Sequence, residues 1–393
     1  MSGPLDGYRI IDLTTMISGP LATMMLADQG ADVIKVEPPV TGDHVRSSGH
    51  GAAQLTASFL NNNRNKRSIA LDLKTEKGRS ALLRLAETAD VFVQNFRPGV
   101  VERLGVGEKE IREVAPQIIY VSISGFGEQG PWAHKPVYDP IVQALSGLTT
   151  IQAGSDDARP RLVRTILPDK LTGVKGAQAI TAALLARAKS GEGQHVRLSM
   201  LDSVIAFLWS SDMGGQTFVG KEVSAQRAAT FIDLIYETKD GYISVATMAN
   251  KQWQALCVAT GNPQWLEDER FQTASLRDRH ADERLQLVQS ALIERTTAEW
   301  LETLEEAGVP CAPVLKRMET IRHPQVQASE IIIETEHPHA GRLRQARPAA
   351  RFDGTPTQIR LGAPLLGEHT DEILTELGTT AADIETMRDE GVI

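Results

Sequence analysis

Strand-like and helix-like segments alternate along the first third of this chain, and that alternation limits its fold more than any other feature. Tyr8–Leu13 (YRIIDL) is a short apolar run with β-branched residues, which predicts a strand. Pro20–Gln29 (PLATMMLADQ) follows at helical period, opening on proline and closing at Gly30. Asp32–Glu37 (DVIKVE) predicts a second strand. A strand, a helix and a strand within about thirty residues make a βαβ crossover, which requires parallel strands. The pattern recurs with a helix at Glu76–Thr88, a strand at Asp90–Gln94, a short helix at Glu108–Val114 and a strand at Ile118–Ile123. Alternation on this scale predicts a doubly wound α/β domain.

Further along, a long helix is expected from Lys170 to Lys189, stopped by Gly191 and Gly193, then a short strand at His195–Leu198 and a helix at Leu201–Phe218. The pattern then changes. Phe231–Thr238 and Tyr242–Thr247, joined through Lys239-Asp240-Gly241, read as a hairpin. Polar helices follow at Lys251–Thr260, Ala281–Glu294 and Thr297–Ala307. This order of β then α predicts a second, smaller domain at about Ala225–Arg322, after a linker helix over 201–224. The tail, 323–393, shows two strand-like runs, Ile331–Thr335 and Gln358–Leu361, and two short helices. It reads as a return to the first domain, whose N-terminal part is 1–200.

Composition removes several classes. The net charge is −9, which argues against nucleic acid as a partner, since that footprint is a strongly basic face. Two cysteines, Cys257 and Cys311, cannot build a disulfide framework or a cysteine-rich zinc site. They fit a reducing, cytoplasmic compartment. MSGPLDGYRIIDL has no basic stretch leading into an apolar run, so no signal peptide is expected. No apolar run approaches the roughly eighteen residues that a bilayer-spanning helix needs. No G-x-x-x-x-G-K-[ST], H-E-x-x-H or G-x-S-x-G occurs, and Thr14–Pro20 (TTMISGP), where a dinucleotide loop would sit, holds a single glycine. His337 and His339 flank a proline in an expected loop, and no metal site is expected.

Three segments carry polar chemistry. Asn61–Lys74 holds Arg64, Lys66, Arg67 and Lys74, and reads either as a solvated basic loop or as a phosphate cradle. Val93–Arg103 (VQNFRPGVVER) places Asn95, Phe96 and Arg97 after a strand, at the sheet edge where open α/β proteins bind ligands. Phe96 suits either an adenine or the core. Tyr138-Asp139 is followed about thirty residues later by Leu167-Pro168-Asp169-Lys170. Asp169, just before the expected long helix, reads as an N-cap or as an anion held ready for nucleophilic attack.

Ten segments in order resemble the class III CoA-transferase family, of the CaiB/BaiF type, over nearly the whole chain. They are PLDGYRIIDLTTMISGP, GADVIKVEPP, NKRSIALDLKTEKG, ADVFVQNFRPG, IYVSISGFGEQGP, YDPIVQALSG, KSGEGQHVRLSMLDS, DGYISVA, LEDERFQT and AGVPCAPV. That group includes formyl-CoA transferase, carnitine CoA-transferase and α-methylacyl-CoA racemase. The resemblance implies an α/β fold with a Rossmann-like large domain built from both chain ends, a smaller α+β domain, and an interlocked homodimer. It implies coenzyme A and acyl-CoA as substrates, a carboxylic acid acceptor, and no prosthetic group.

Residue by residue, it places Asp169 at the catalytic aspartate and Tyr138 at a supporting tyrosine. Ile17, Ser18 and Gly19 fall in the loop beside the reacting acyl group. Lys74, Asn95, Phe96, Arg97, Arg103 and Lys135 fall at CoA-contacting positions, Lys135 with a register offset caused by Pro136. The sequence departs from the family where Pro38-Pro39 replace an arginine, where Ile17 replaces a glutamine of formyl-CoA transferase, and in lacking a glycine-rich loop before the hairpin. A racemase needs two acid–base groups on opposite faces of the α-carbon. Family racemases use a histidine where Tyr138 stands, and His134 is four residues away, so transferase is favoured over racemase.

Overall fold

The computed structural model describes residues 3–52, 55–223 and 234–393. The chain forms two compact units, one of Met1–Thr149, Arg161–Gly214 and Glu330–Ile393, the other of Thr150–Pro160 and Gly215–Ser329. Among the described residues no helix is long and apolar enough to cross a bilayer.

The first unit is built on a six-stranded sheet of β1 (Arg9–Leu13), β2 (Asp32–Glu37), β3 (Lys66–Ala70), β4 (Val91–Gln94), β5 (Ile119–Ser124) and β6 (His195–Ser199). The strand order is β3-β2-β1-β4-β5-β6 and every pairing is parallel. This is the doubly wound order, whose direction reverses between β1 and β4, and ligands bind at the C-terminal ends of strands flanking such a reversal. Successive side chains on a strand face opposite ways, so both faces carry a core. Ile11, Ile34, Phe92 and Tyr120 face Leu82 and Leu85 of α2 (Glu76–Glu87) and Ile373 and Ile384 near the C-terminus. Ile10, Val33, Val91 and Val121 face Ala22 and Leu26 of α1 (Ser18–Asp28), and Ile180 and Leu184 of a long helix over Leu167–Ser190.

Four elements differ from the sequence expectation. Lys66–Ala70 lies inside the segment read as a basic loop or cradle, but it is strand β3. The expected helix Leu201–Phe218 spans Met200–Leu208 only, and a short 3-10 turn follows at Gly214–Gln216. Gln358–Leu361 is not a strand. It is held by Asn65, whose Oδ1 accepts the N–H groups of Arg360 (2.6 Å) and Leu361 (2.8 Å) and whose Nδ2 donates to the Gln358 carbonyl at 2.8 Å. The tail hairpin instead pairs Ile332–His337 with Gly341–Ala346, a partner strand whose three charged or amide side chains hid it from pattern reading.

The second unit carries an antiparallel three-stranded sheet of Ile235–Glu237, Tyr242–Val245 and Cys311–Pro313. Helices Asn250–Ala259, Ala281–Leu292 and Thr297–Glu306 surround a core with Trp253, Trp265, Phe271 and Trp300. The start of the expected hairpin, 231–233, and the expected domain start at Ala225 lie outside the described residues.

Candidate active site

The loop after β1, Thr14–Ile17, sits at the β1/β4 reversal, and five of its polar backbone groups are tied down by side chains. The Thr14 N–H donates to Asp12 Oδ1 at 3.0 Å, and the Thr14 carbonyl accepts from Lys35 Nζ at 2.8 Å. Asn95, just past β4, accepts from the Thr15 N–H at 2.9 Å and donates to the Thr15 carbonyl at 2.8 Å. Met16, in the left-handed region at φ 69°, donates its N–H to Asp43 Oδ1 at 3.1 Å. Backbone strain of that kind persists only where surrounding contacts over-determine it.

Two buried ion pairs lie beneath this loop. Lys66 Nζ pairs with Asp12 at 2.8 Å and also donates to the Pro20 carbonyl (2.9 Å) and Asn63 Oδ1 (2.8 Å). Lys35 pairs with Asp43 at 3.0 Å. All four side chains are fully buried. Burial alone would raise the Asp12 carboxyl, but the Lys66 and Lys35 ammoniums outweigh it and hold it far below the usual carboxylate range. Burial pushes Lys66 down to about 8 against the pull of Asp12. For Lys35 burial is overcome by Asp43, Asp12 and Glu37, and its pKa is raised.

Asp169 is the third residue of α3 (Leu167–Ser190), within the first turn and not before it as the sequence suggested. Two helix N-termini converge here. The N-cap of α1 is Ile17, which has no side-chain acceptor for the free N–H groups of the first turn. Asp169 takes that place, its charged form favoured by the Ser18 N–H and the Ser18 hydroxyl. The N-cap of α3, Ile166, is equally without an acceptor, and there Asp139 Oδ2 accepts the Asp169 N–H at 3.3 Å. Asp139 opens the helix Asp139–Leu145 and accepts from Gln143 Nε2 at 2.6 Å.

The closeness of the two helices has a local cause. A Cβ on Gly173 would lie 2.9 Å from the Ser18 carbonyl, and one on Gly176 would lie 3.2 Å from the Ala22 Cβ. Gly19 is equally constrained, since a Cβ there would fall 2.4 Å from the Thr14 Cβ. Burial, then the nearby Asp139 carboxylate, raise the Asp169 carboxyl from 3.8 to about 6, opposed by its bonds to Ser18. Burial likewise raises Asp139. The result is a carboxylate that is ionised above pH 6, poorly solvated, and more basic than an ordinary aspartate, which suits a nucleophile.

The structure therefore brings Ser18, Gly19 and Asp169 together, with Ile17 buried at the turn into α1. Asn95 lies at the same loop, both ends of its amide engaged by Thr15. Phe96 is half-buried against the α2 side of the core, and its N–H donates to Gln94 Oε1 at 2.8 Å. Arg97, Lys74 and Arg103, the last residue of the short helix Val100–Arg103, are exposed. Lys135 is exposed with its ammonium 3.4 Å from the Trp132 ring centroid. Tyr138, immediately before Asp139, is 69% exposed.

The cradle reading of Asn61–Lys74 is corrected. Arg64 pairs with Asp28 (2.8 Å), Lys66 with Asp12, and Arg67 with Asp32 (2.8 Å) and Glu376 (2.6 Å), which leaves Lys74 as the exposed cation of the four. Sequence reasoning also missed Asp43, Gln94 and Gln143, and it noted Asp139 without a role. The signal for Asp139 was the absence of a capping residue before Leu167; the others have no local signature.

A doubly wound α/β unit with a desolvated carboxylate at the strand-order reversal defines a small-molecule enzyme site. Comparison with known proteins narrows the class. Residues 5–370 match the family model described as CoA-transferase family III. Succinyl-CoA:glutarate CoA-transferase of Mus musculus is 35% identical over 396 residues, covering 99% of this chain and 90% of that protein. Formyl-CoA:oxalate CoA-transferase of Escherichia coli O6:H1 is 32% identical over 419 residues, covering 100% of each. A crystal structure of a CaiB/BaiF family protein from Brucella suis superposes with a TM-score of 0.84 at 30% identity, covering 96% of this chain and 100% of that one. The chain belongs to CoA-transferase family III and is an enzyme, a CoA-transferase.

Proposed function

We propose that this enzyme moves CoA from an acyl-CoA to a free carboxylic acid through covalent intermediates on Asp169. The observation that carries the reading is the Asp169 carboxylate itself, desolvated beside Asp139 and addressed by the Ser18 N–H and hydroxyl. In the first step the carboxylate attacks the thioester carbonyl and CoA leaves as the thiolate, giving a mixed aspartyl anhydride. The thiolate then attacks the aspartyl carbonyl, the donor acid departs, and an aspartyl-CoA thioester remains. The acceptor carboxylate attacks that thioester and expels the thiolate, and attack of the thiolate on the acceptor carbonyl of the second anhydride restores Asp169. Each tetrahedral oxyanion needs aligned donors, and the N–H groups of the first turn of α1, at Ser18 and Gly19, are suited to it because the loop cannot relax away. The proton inventory needs no other acid or base.

Phe96, Arg97, Arg103, Lys74 and Lys135 are proposed to bind the CoA moiety, its phosphates matched by exposed cations and its adenine by Phe96. Ile17 and Tyr138 are proposed to line the acyl side. The assembly is proposed to be an interlocked cytoplasmic homodimer. Exposed apolar side chains on the first unit support an interface, including Ile141, Leu145, Leu185 and Phe207.

The test is intact-protein mass spectrometry after incubation with acyl-CoA and a hydroxylamine quench. A hydroxamate at Asp169, absent from Asp169→Ala, is expected, together with loss of CoA exchange and retained CoA binding. Full exchange activity in Asp169→Ala would sink the mechanism. Deuterium wash-in at the α-carbon without an acceptor acid would favour a racemase instead.

A further inference from the structure

A line of hydrogen bonds crosses three adjacent strands beneath the Phe96 loop and ends on an imidazole that the transfer chemistry does not use. The Phe96 N–H donates to Gln94 Oε1 at 2.8 Å. That bond fixes the amide orientation, because an N–H can be met only by the carbonyl oxygen. Gln94 Nε2 therefore faces, and donates to, Ser122 Oγ at 3.0 Å. Ser122 Oγ lies 2.8 Å from His195 Nε2, and when Nε2 is bare the hydroxyl donates to it. In that tautomer all three bonds run in one direction, from loop to histidine, and chains of that kind reinforce one another. Gln94 and Ser122 are both buried.

The direction requires a neutral imidazole with Nε2 bare. The lowered pKa of His195 supplies the neutral ring. Burial lowers its pKa, helped by Arg197 and Arg112 and opposed by Glu128, 3.9 Å from Nε2, and by Glu108. The edge of the ring also packs on Tyr120, with centroids 5.1 Å apart. Its Nδ1 is buried with no hydrogen-bond partner among the described residues, so the ring is held through Nε2 alone. Protonation would turn Nε2 into a donor facing a hydroxyl that already accepts from Gln94, and the chain would lose its direction.

We propose that His195 is a positioning residue for CoA binding, acting through Ser122 and Gln94 to hold the Phe96 backbone. The loop is then pinned from two sides, by Asn95 on Thr15 and by His195 through the strand row. The proposal rests on the reading that the Phe96 loop binds CoA.

Titration calorimetry of the full-length protein with free CoA tests both separately. Ser122→Ala and His195→Leu are expected to weaken CoA roughly three- to tenfold, the effect of one or two ordinary hydrogen bonds. His195→Gln, whose amide oxygen can accept from Ser122, is expected to bind within about twofold of the wild type. Between about pH 7.5 and about pH 5 the wild type is expected to lose more affinity than His195→Gln, which carries no titrating ring. A purely packing role for His195 would leave that difference at zero and overturn the proposal. So would unchanged affinity in His195→Leu alongside weakened binding in Phe96→Ala, which would leave the CoA site standing. Unchanged affinity in Phe96→Ala would remove the site reading and the proposal together.

Discussion

Asn95 grips Thr15 at both ends, its Oδ1 on the Thr15 N–H at 2.9 Å and its Nδ2 on the Thr15 carbonyl at 2.8 Å. The two residues belong to the loops after β1 and β4, on either side of the point where the sheet reverses. One amide side chain thus joins the two loops that build the site. Asn95→Ala removes both bonds and is expected to destabilise the protein by about 1–3 kcal/mol. Exchange activity is expected to fall further than stability at a temperature where the variant is folded, because the loop carrying Ser18 loses its anchor. Asn95→Asp keeps an acceptor for the Thr15 N–H but sets a carboxylate against the Thr15 carbonyl, and should be no better. Denaturant melts beside exchange assays check this; equal activity per folded molecule in Asn95→Ala would count against it.

Burial and Asp139 raise the Asp169 carboxyl to about 6, and as the proposed nucleophile it must be ionised, so exchange should fall as pH drops through that value. Asp139 contributes to the elevation by its charge. Asp139→Asn is therefore expected to move the acid limb to lower pH, while the amide still accepts at one end. A pH–rate profile with the limb unmoved would show that burial alone sets the value.

The same elevation has a stability consequence of definite sign. The folded value, about 6, lies above the ordinary 3.8, so this group stabilises the fold fully only below about pH 4 and the contribution is lost as pH rises through 6. Asp169→Asn, an uncharged near-isostere, should melt at a higher temperature than the wild type at about pH 8, and the gap should close towards about pH 4. Thermal melts across that range decide it; a constant gap would place the effect elsewhere.

Gly173 and Gly176 offer a graded test of the helix contact. A Cβ at Gly173 meets the Ser18 carbonyl at 2.9 Å, a backbone atom that cannot swing away, whereas one at Gly176 meets the Ala22 methyl at 3.2 Å. Alanine in a helix interior gains up to about 1 kcal/mol over glycine, and overpacking costs about 1–3 kcal/mol. Gly173→Ala is expected to lose both stability and exchange activity by pushing Ser18 off Asp169. Gly176→Ala should be close to neutral. Equal behaviour of the two variants in melts and assays would argue against helix spacing as the control.

Much of the scaffold was legible because strand and helix periodicity are local properties. Asp32–Glu37 and Glu108–Val114 were read with the observed bounds, and β1, β4, β5 and β6 within one residue at each end. The family resemblance was legible for a different reason, since it rests on motif order along the whole chain. Strand β3 was not legible. Its lysine and arginine look like a ligand cradle in one dimension, and only the fold supplies Asp12 and Asp32 as their partners.

The sequence alone determined the alternation, hence a parallel sheet, and the candidate nucleophile Asp169. Tertiary structure decided the surroundings of that aspartate. No local pattern announces that Asp169 and Asp139, from other helices, fill the N-cap places that Ile17 and Ile166 leave empty. A carboxylate's basicity depends on burial and on charges within a few ångströms, and residues 18 and 169 become neighbours only when Gly173 and Gly176 let α3 close on α1.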